Sequence, residues 1–209
     1  MEDAVAAVFA LYDQRIAAEA ELWRNPRPGM AIDDFLLAVG PATGALINTL
    51  VKGAAARSIL EIGTSYGYST VWLAEAARAT GGRVTTLDLA ANKQAYARDM
   101  LQKAGLADVV DFRTGDAREL IPTLADGLDF VLLDCWKDIY VPCLELFHPK
   151  LAPGAVVVAD NMVFPPNAHA EAITYRRAVR AKADMASVLL SVGSGLELSR
   201  KAGPLDDDL

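Results

Sequence analysis

The sequence predicts an α/β fold, a doubly wound and mostly parallel sheet that ends in an antiparallel C-terminal hairpin. Three observations predict it. Five short apolar runs are each followed by a turn or helix signal. Helical patterns alternate with those runs, as a parallel sheet covered on both faces requires. Two later runs flank Gly193-Ser194-Gly195, a short glycine-rich connection of the hairpin kind.

Taken in order, the first fifty residues hold a helical stretch, Ala4 to Trp23, and a loop-like Asn25-Pro26-Arg27-Pro28-Gly29. They precede the first core strand, so residues 1–50 are expected to form a helical lid or an interface element. The expected strands are Ser58 to Glu61, Arg83 to Asp88, Val109 to Arg113, Phe130 to Asp134 and Ala155 to Ala159, compact and apolar as buried parallel strands are. The expected helices are Ser69 to Ala79, Asn92 to Ala104, Ile139 to Leu151 and Ala168 to Lys182. The runs Ala186 to Val192 and Leu196 to Lys201 make the hairpin.

At 209 residues and 53% hydrophobic, the chain can bury one core, so residues 1–209 are read as a single domain with its catalytic core at 51–209. Its longest apolar stretches fall far short of the roughly 20 residues that span a bilayer. Met1-Glu2-Asp3 lacks the basic start of a secretory signal. The expectation is a soluble, cytoplasmic protein without a membrane partner, either monomer or homodimer. Cys135 and Cys143 suit reduced thiols. A net charge of -7 leaves no basic stripe for phosphate, so nucleic acid is not an expected partner.

In a doubly wound sheet the ligand lies beyond the carboxyl ends of the strands, so the residues after each strand are the ones to question. The first strand runs into Glu61-Ile62-Gly63-Thr64-Ser65-Tyr66-Gly67-Tyr68-Ser69. Its glycines are four apart and miss the Gly-x-Gly-x-x-Gly of a dinucleotide fold. Asp88 ends the second strand, where a carboxylate accepts bonds from two ribose hydroxyls, an arrangement that also suits NAD. Gly115-Asp116-Ala117 follows the third strand, in reach of an adenine edge. Asp134 ends the fourth strand and Asp160-Asn161 the fifth. These two carboxylates and a carboxamide are hard oxygen donors of the sort that hold Mg²⁺.

On Glu61, Gly63, Gly67, Asp88 and Asp116-Ala117 the chain resembles the class I methyltransferases, Rossmann-like proteins that use S-adenosylmethionine. The segment Leu133-Asp134-Cys135-Trp136-Lys137-Asp138-Ile139-Tyr140 is similar to the Leu-Asp-His-Trp-Lys-Asp-Arg-Tyr of the catechol O-methyltransferases, with departures at Cys135 and Ile139. Val39-Gly40-Pro41-Ala42-Thr43-Gly44 and Ala159-Asp160-Asn161 with Pro165 also resemble their segments. The correspondence covers roughly residues 35 to 201.

The resemblance implies Mg²⁺-dependent transfer of a methyl group from S-adenosylmethionine to one hydroxyl of a catechol or other small phenol. It implies Asp134, Asp160 and Asn161 as metal ligands and Lys137 as general base. It implies Val39, Glu61, Gly63, Ser65, Ser69, Asp88, Asp116, Ala117, Asp134 and Trp136 around the cofactor. Phe35, Trp136, Lys137, Asn161 and Pro165 would surround the substrate, core packing being the competing reading for Phe35. His148 and His169 stand at no metal spacing and are read as structural or solvated.

Rival readings are a caffeoyl-CoA or flavonoid-type O-methyltransferase, a non-catalytic nucleotide-binding module and an NAD-linked oxidoreductase. Residues 1 to 50 hold three arginines, no lysine and seven acids, a poor cradle for the phosphates of CoA. One further departure concerns the glutamate that the catechol enzymes carry seven residues before the Gly-Leu-Glu of their last hairpin. Counting back from Gly195 reaches Val188, and no acid occurs between Met185 and Leu196. The expectation is a site without that charged acceptor, tolerant of substituted catechols.

Overall fold

The computed structural model describes residues 2–25, 27, 29–165 and 169–203. Strands β1 (Ser58–Ile62), β2 (Arg83–Asp88), β3 (Val110–Thr114), β4 (Leu128–Leu133), β5 (Leu151–Ala159), β6 (Met185–Leu190) and β7 (Leu196–Lys201) form one sheet in the order β3-β2-β1-β4-β5-β7-β6. The first five are parallel, β7 runs antiparallel to β5, and β6 pairs antiparallel with β7. The doubly wound sheet with its terminal hairpin is therefore present as expected.

Side chains alternate between two apolar layers. Helices α1 (Asp3–Arg24), α2 (Pro41–Gly53), α3 (Tyr68–Thr80) and α4 (Ala91–Lys103) cover one face, where Ile59, Phe130, Leu132 and Val158 meet Val8, Ile47, Val51, Val71 and Leu101. The short α5 (Ala117–Leu120), α6 (Tyr140–Phe147) and α7 (His169–Arg180) cover the other, where Leu60, Ile62, Val131, Leu133 and Val157 meet Leu144, Phe147 and Tyr175. Burial on both faces is why β4 reads Leu-Asp-Phe-Val-Leu-Leu with one polar residue. Each such side chain, once buried, contributes about 1.5–3 kcal/mol.

Several boundaries differ from the sequence reading. Helix α2 was not expected: Gly44, Thr43, Asn48 and Gly53 are poor helix formers, and burial of Ile47 and Val51 overrides them. Pro41 opens it at the first turn, where a missing N-H costs nothing. The expected helix Ile139 to Leu151 stops at Phe147, and His148–Lys150 tightens to a 3-10 turn around Pro149. β5 starts four residues early and meets β4 through a register shift between Leu128 and Phe130. Ala168, the side chain of His169 and the acidic tail 205–209 lie outside the described residues, as do Pro26 and Pro28 of the loop.

Candidate active site

The site is built by register. Ile62 pairs with Leu133 and Leu133 with Ala159, so three central strands end on one level. The next residues leave side by side, and the ladder runs one step on: Gly63 N donates to Leu87 O (2.9 Å), Asp134 N to Ile62 O (2.9 Å) and Asp160 N to Leu133 O (3.1 Å). This continuation brings the turn after β1 against the two aspartates. Gly63 (φ +107°) is required there, since a Cβ would stand inside the Asp134 carbonyl, 2.7 Å from its carbon.

Around the first turn, Ser65 (φ +45°) donates its N-H to Asp88 Oδ2 (2.7 Å), and Ala90 N donates to Asp88 Oδ1 (2.8 Å). Two amides thus fix Asp88 at the end of β2, and each oxygen keeps a lone pair for another donor. Glu61 lies wholly buried beneath the turn. Ser69 Oγ, Thr70 Oγ1 and Thr86 Oγ1 donate to its oxygens at 2.6 Å. Burial outweighs those three donors and pushes its pKa up to about 7. Glu61 and Ser69 are therefore spent on each other and brace the turn from below. Thr70 and Thr86, missed in the sequence, belong to this brace; two hydroxyl residues beside a buried-strand glutamate were the available signal.

At the second turn, Asp160 is 1% exposed and Asp134 half-buried. Burial, then the neighbouring Asp134 carboxylate, pushes Asp160 up to about 7, while burial raises Asp134 against the pull of Lys137. Asn161 takes the left-handed conformation (φ +55°), one that asparagine tolerates, and its N-H donates to Asp160 Oδ1 (2.6 Å). Lys137 Nζ donates to Asn161 Oδ1 (3.1 Å), to Cys135 O (3.4 Å) and to the Tyr140 hydroxyl. Burial lowers the lysine pKa, with Asp134 and Asp160 opposing. Two carboxylates that repel each other and a carboxamide oxygen make a donor set that fits a hard divalent cation. Among the described residues no group of three His, Cys, Asp or Glu side chains is arranged for a metal, so the amide of Asn161 is the third donor this reading needs.

The remaining expected residues are less tightly joined. Trp136 is 55% exposed, and Val163 and Phe164 form an open rim of their own after β5. Pro165 is half-buried at the end of that rim. Val39 is buried in the α-helical layer ahead of α2. Asp116 caps α5 and turns onto Arg118, whose backbone N-H (2.8 Å) and guanidinium donate to it; those contacts lower its pKa. Ala117 is buried under the same cap. Phe35 is buried and stacks on Trp23 with ring centres 4.2 Å apart, the packing role that competed with substrate contact. His148 Nε2 pairs with Asp184 Oδ1 (2.8 Å), a structural contact. Both cysteines are free thiols.

Counting from the hairpin placed Val188 at the substrate. In the structure it lies mid-strand and half exposed, paired with Leu198, itself opposite Val158. That level is two residues short of the Asp160 level at the site edge. The hairpin residues that do reach it, Leu190 to Gly195, include no acid. Glu197 is closed off by Arg180 Nε (2.6 Å), Arg176 and Ser187 Oγ (2.6 Å).

Above the first turn, Arg15 of α1 lies 3.7 Å from the Tyr66 ring centre, and Tyr12 donates to Tyr66 O (2.7 Å). Leu36 N donates to Glu19 Oε2 (2.8 Å), Ser65 Oγ donates to Leu36 O (3.5 Å), and the buried Lys93 pairs with Asp33. Residues 31–36 are thereby strapped between α1 and the turn. Sequence reasoning missed this set because its members are up to 81 residues apart (Tyr12 to Lys93).

A family of methyltransferase domains matches residues 60–162. The catechol O-methyltransferase of Mycobacterium tuberculosis is 39% identical over 128 residues, 61% of this chain and 58% of that protein. The catechol O-methyltransferase of Niastella koreensis is 34% identical over 131 residues, 61% of this chain and 59% of its own length. These matches thus span less than two thirds of the curated relatives. The O-methyltransferase TomG of Streptomyces achromogenes, solved with S-adenosylmethionine, superposes with a TM-score of 0.77 at 27% identity, covering 97% of this chain and 91% of that one. An O-methyltransferase from Bacillus cereus, solved with S-adenosylhomocysteine, gives 0.74 at 25% identity, covering 96% and 91%. The chain is thus similar to methyltransferase domains over its central half and to solved O-methyltransferases over nearly its whole length. Among the described residues no helix is long and apolar enough to cross a membrane.

Proposed function

We propose that this protein transfers a methyl group from S-adenosylmethionine to one hydroxyl of a catechol-like small molecule with the help of a divalent cation, Mg²⁺ being the expected one. The observation that carries the reading is the convergence of Asp134, Asp160, Asn161 and Lys137 at two adjacent strand ends, beside the turn that Asp88 braces. The names of the relatives support the catechol class.

Asp134, Asp160 and Asn161 would hold the cation, which when bound lowers the pKa of a coordinated phenol and fixes its oxygen. S-adenosylmethionine supplies an electrophilic methyl on a sulfonium. Asp88 receives ribose hydroxyls on its remaining lone pairs. The turn Gly63–Gly67 lets the ligand approach the backbone closely. Lys137 takes the phenolic proton, its depressed pKa leaving more free amine near neutrality than an exposed lysine has. Alignment of phenol oxygen with the methyl group then contributes through positioning. Trp136 and Pro165 form an apolar rim for the aromatic ring. Residues 1–50 act as the cover: α1 and the strap 31–36 close over the cofactor turn through Arg15, Glu19 and Asp33.

The test is product formation from catechol and S-adenosylmethionine, followed by mass, with and without Mg²⁺. Methylated catechol is expected only with the metal, and chelation should abolish turnover while cofactor affinity changes little. Full turnover after exhaustive chelation would remove the metal from the mechanism. A panel including caffeate, caffeoyl-CoA and flavonoids then ranks substrates; a strong preference for the CoA ester would overturn the small-catechol reading.

A further inference from the structure

We infer that Tyr140 is a positioning residue whose buried hydroxyl holds the Lys137 amine in place; the inference rests on the reading of Lys137 as the base. A lysine amine sits on a flexible four-carbon stem, so a base of this kind needs something to hold it. Lys137 starts a three-residue 3-10 turn, Lys137–Ile139, which does little to fix a four-carbon stem. Of its three acceptors, Cys135 O is distant at 3.4 Å and Asn161 Oδ1 is the oxygen assigned to the cation. The third is Tyr140.

Tyr140 is built to be a rigid acceptor. It opens α6, is 1% exposed, and packs edge-on against Tyr175 with ring centres 5.4 Å apart. Its hydroxyl proton is spent on Leu133 O (3.0 Å), with Asp160 O as the second arm (3.2 Å). These carbonyls stand immediately before Asp134 and at Asp160 itself. One hydroxyl therefore ties both metal-bearing turns together and presents its lone pair to Lys137 Nζ. The ring adds a second hold, with Nζ 4.0 Å from its centre. No protonation change of the tyrosine is involved, because its proton already belongs to a backbone carbonyl.

Tyr140→Phe keeps the ring and removes the hydroxyl, both the acceptor for Lys137 and the donor to the two carbonyls, and Tyr175→Phe is the matched control, since the Tyr175 hydroxyl is buried and has no hydrogen-bond partner among the described residues. In protein shown to be folded by urea unfolding, Tyr140→Phe should lower kcat by roughly 10- to 100-fold, the scale of a misplaced reacting group. KM for catechol and Kd for S-adenosylmethionine should stay within about twofold. Its crystal structure should show Lys137 Nζ displaced from Asn161 Oδ1, and Tyr175→Phe should keep both kcat and the lysine position. A kcat within twofold of wild type, or an undisplaced Lys137 in the Tyr140→Phe crystal, would overturn the inference. If the wild-type protein makes no methylated catechol, the proposed activity falls, while the lysine position in that crystal still decides the role of Tyr140.

Discussion

Gly63→Ala is the sharpest probe of how the turn after β1 and the strand end at Asp134 depend on each other. The added methyl meets two obstacles. Gly63 has φ +107°, where an L side chain is strained by roughly 1–3 kcal/mol. Its Cβ also collides with the backbone carbonyl of Asp134, which no rotamer change can move aside, and forced overpacking costs roughly another 1–3 kcal/mol. The sum is about 2–6 kcal/mol, a large part of the 5–15 kcal/mol that holds a domain folded. The collision is relieved only by parting β1 from β4, which shifts the Ser65–Asp88 contact and the Asp134 carboxylate together. Cofactor affinity and metal-dependent turnover should therefore fall in step, with Kd for S-adenosylmethionine rising at least tenfold. Urea unfolding and calorimetric titration measure the two effects. Gly53→Ala is the control: it ends α2, its new methyl meets no atom within 4 Å among the described residues beyond its own helix turn and chain neighbours, and the variant should match or slightly exceed wild-type stability. A Gly63→Ala protein with wild-type midpoint and cofactor affinity would refute the close approach of these strand ends.

Three further outcomes follow from the geometry. Lys137→Ala should depress kcat by roughly 10²- to 10⁴-fold, the range for losing a general base, with cofactor Kd within a few-fold; a near-wild-type kcat would move the role to water or another group. Glu61 is raised from 4.5 to about 7 in the fold, so the folded state favours its neutral form. Its contribution is fully present below pH 4.5 and lost as pH rises through about 7, a span of about 3 kcal/mol. Urea midpoints of Glu61→Gln should accordingly be flatter between pH 4.5 and 7 than those of wild type, and parallel curves would mean the carboxylate is ionised throughout. Lys93→Met opens the strap at Asp33 and should speed S-adenosylmethionine release by roughly 3- to 10-fold, part of what a charged hydrogen bond contributes. Stopped-flow release at an unchanged rate would show that residues 31–36 do not gate the cofactor.

Much of this protein was legible in the linear chain because local chemistry determined it. The compact apolar runs around Leu60, Val131 and Val157 must be strands buried on both faces, and a parallel order places the residues after them on one edge, so Asp88, Asp134, Asp160 and Asn161 could be named before any coordinates. Gly193-Ser194-Gly195 announced the hairpin because a short reversal with positive φ wants glycine. Helix α2 was not legible, since its poor helix formers are overruled by burial of Ile47 and Val51, a tertiary effect. Counting along the chain also could not give the height of Val188 along its strand; the pairing with Leu198 does. What a polar side chain touches was likewise decided only by the fold: Glu61 is spent on three hydroxyls, Asp116 on Arg118, and Tyr140 on two carbonyls and a lysine. Residue type sets which bonds a group can make, but register and packing bring distant partners such as Arg15 and Tyr66, or Lys93 and Asp33, within reach of each other.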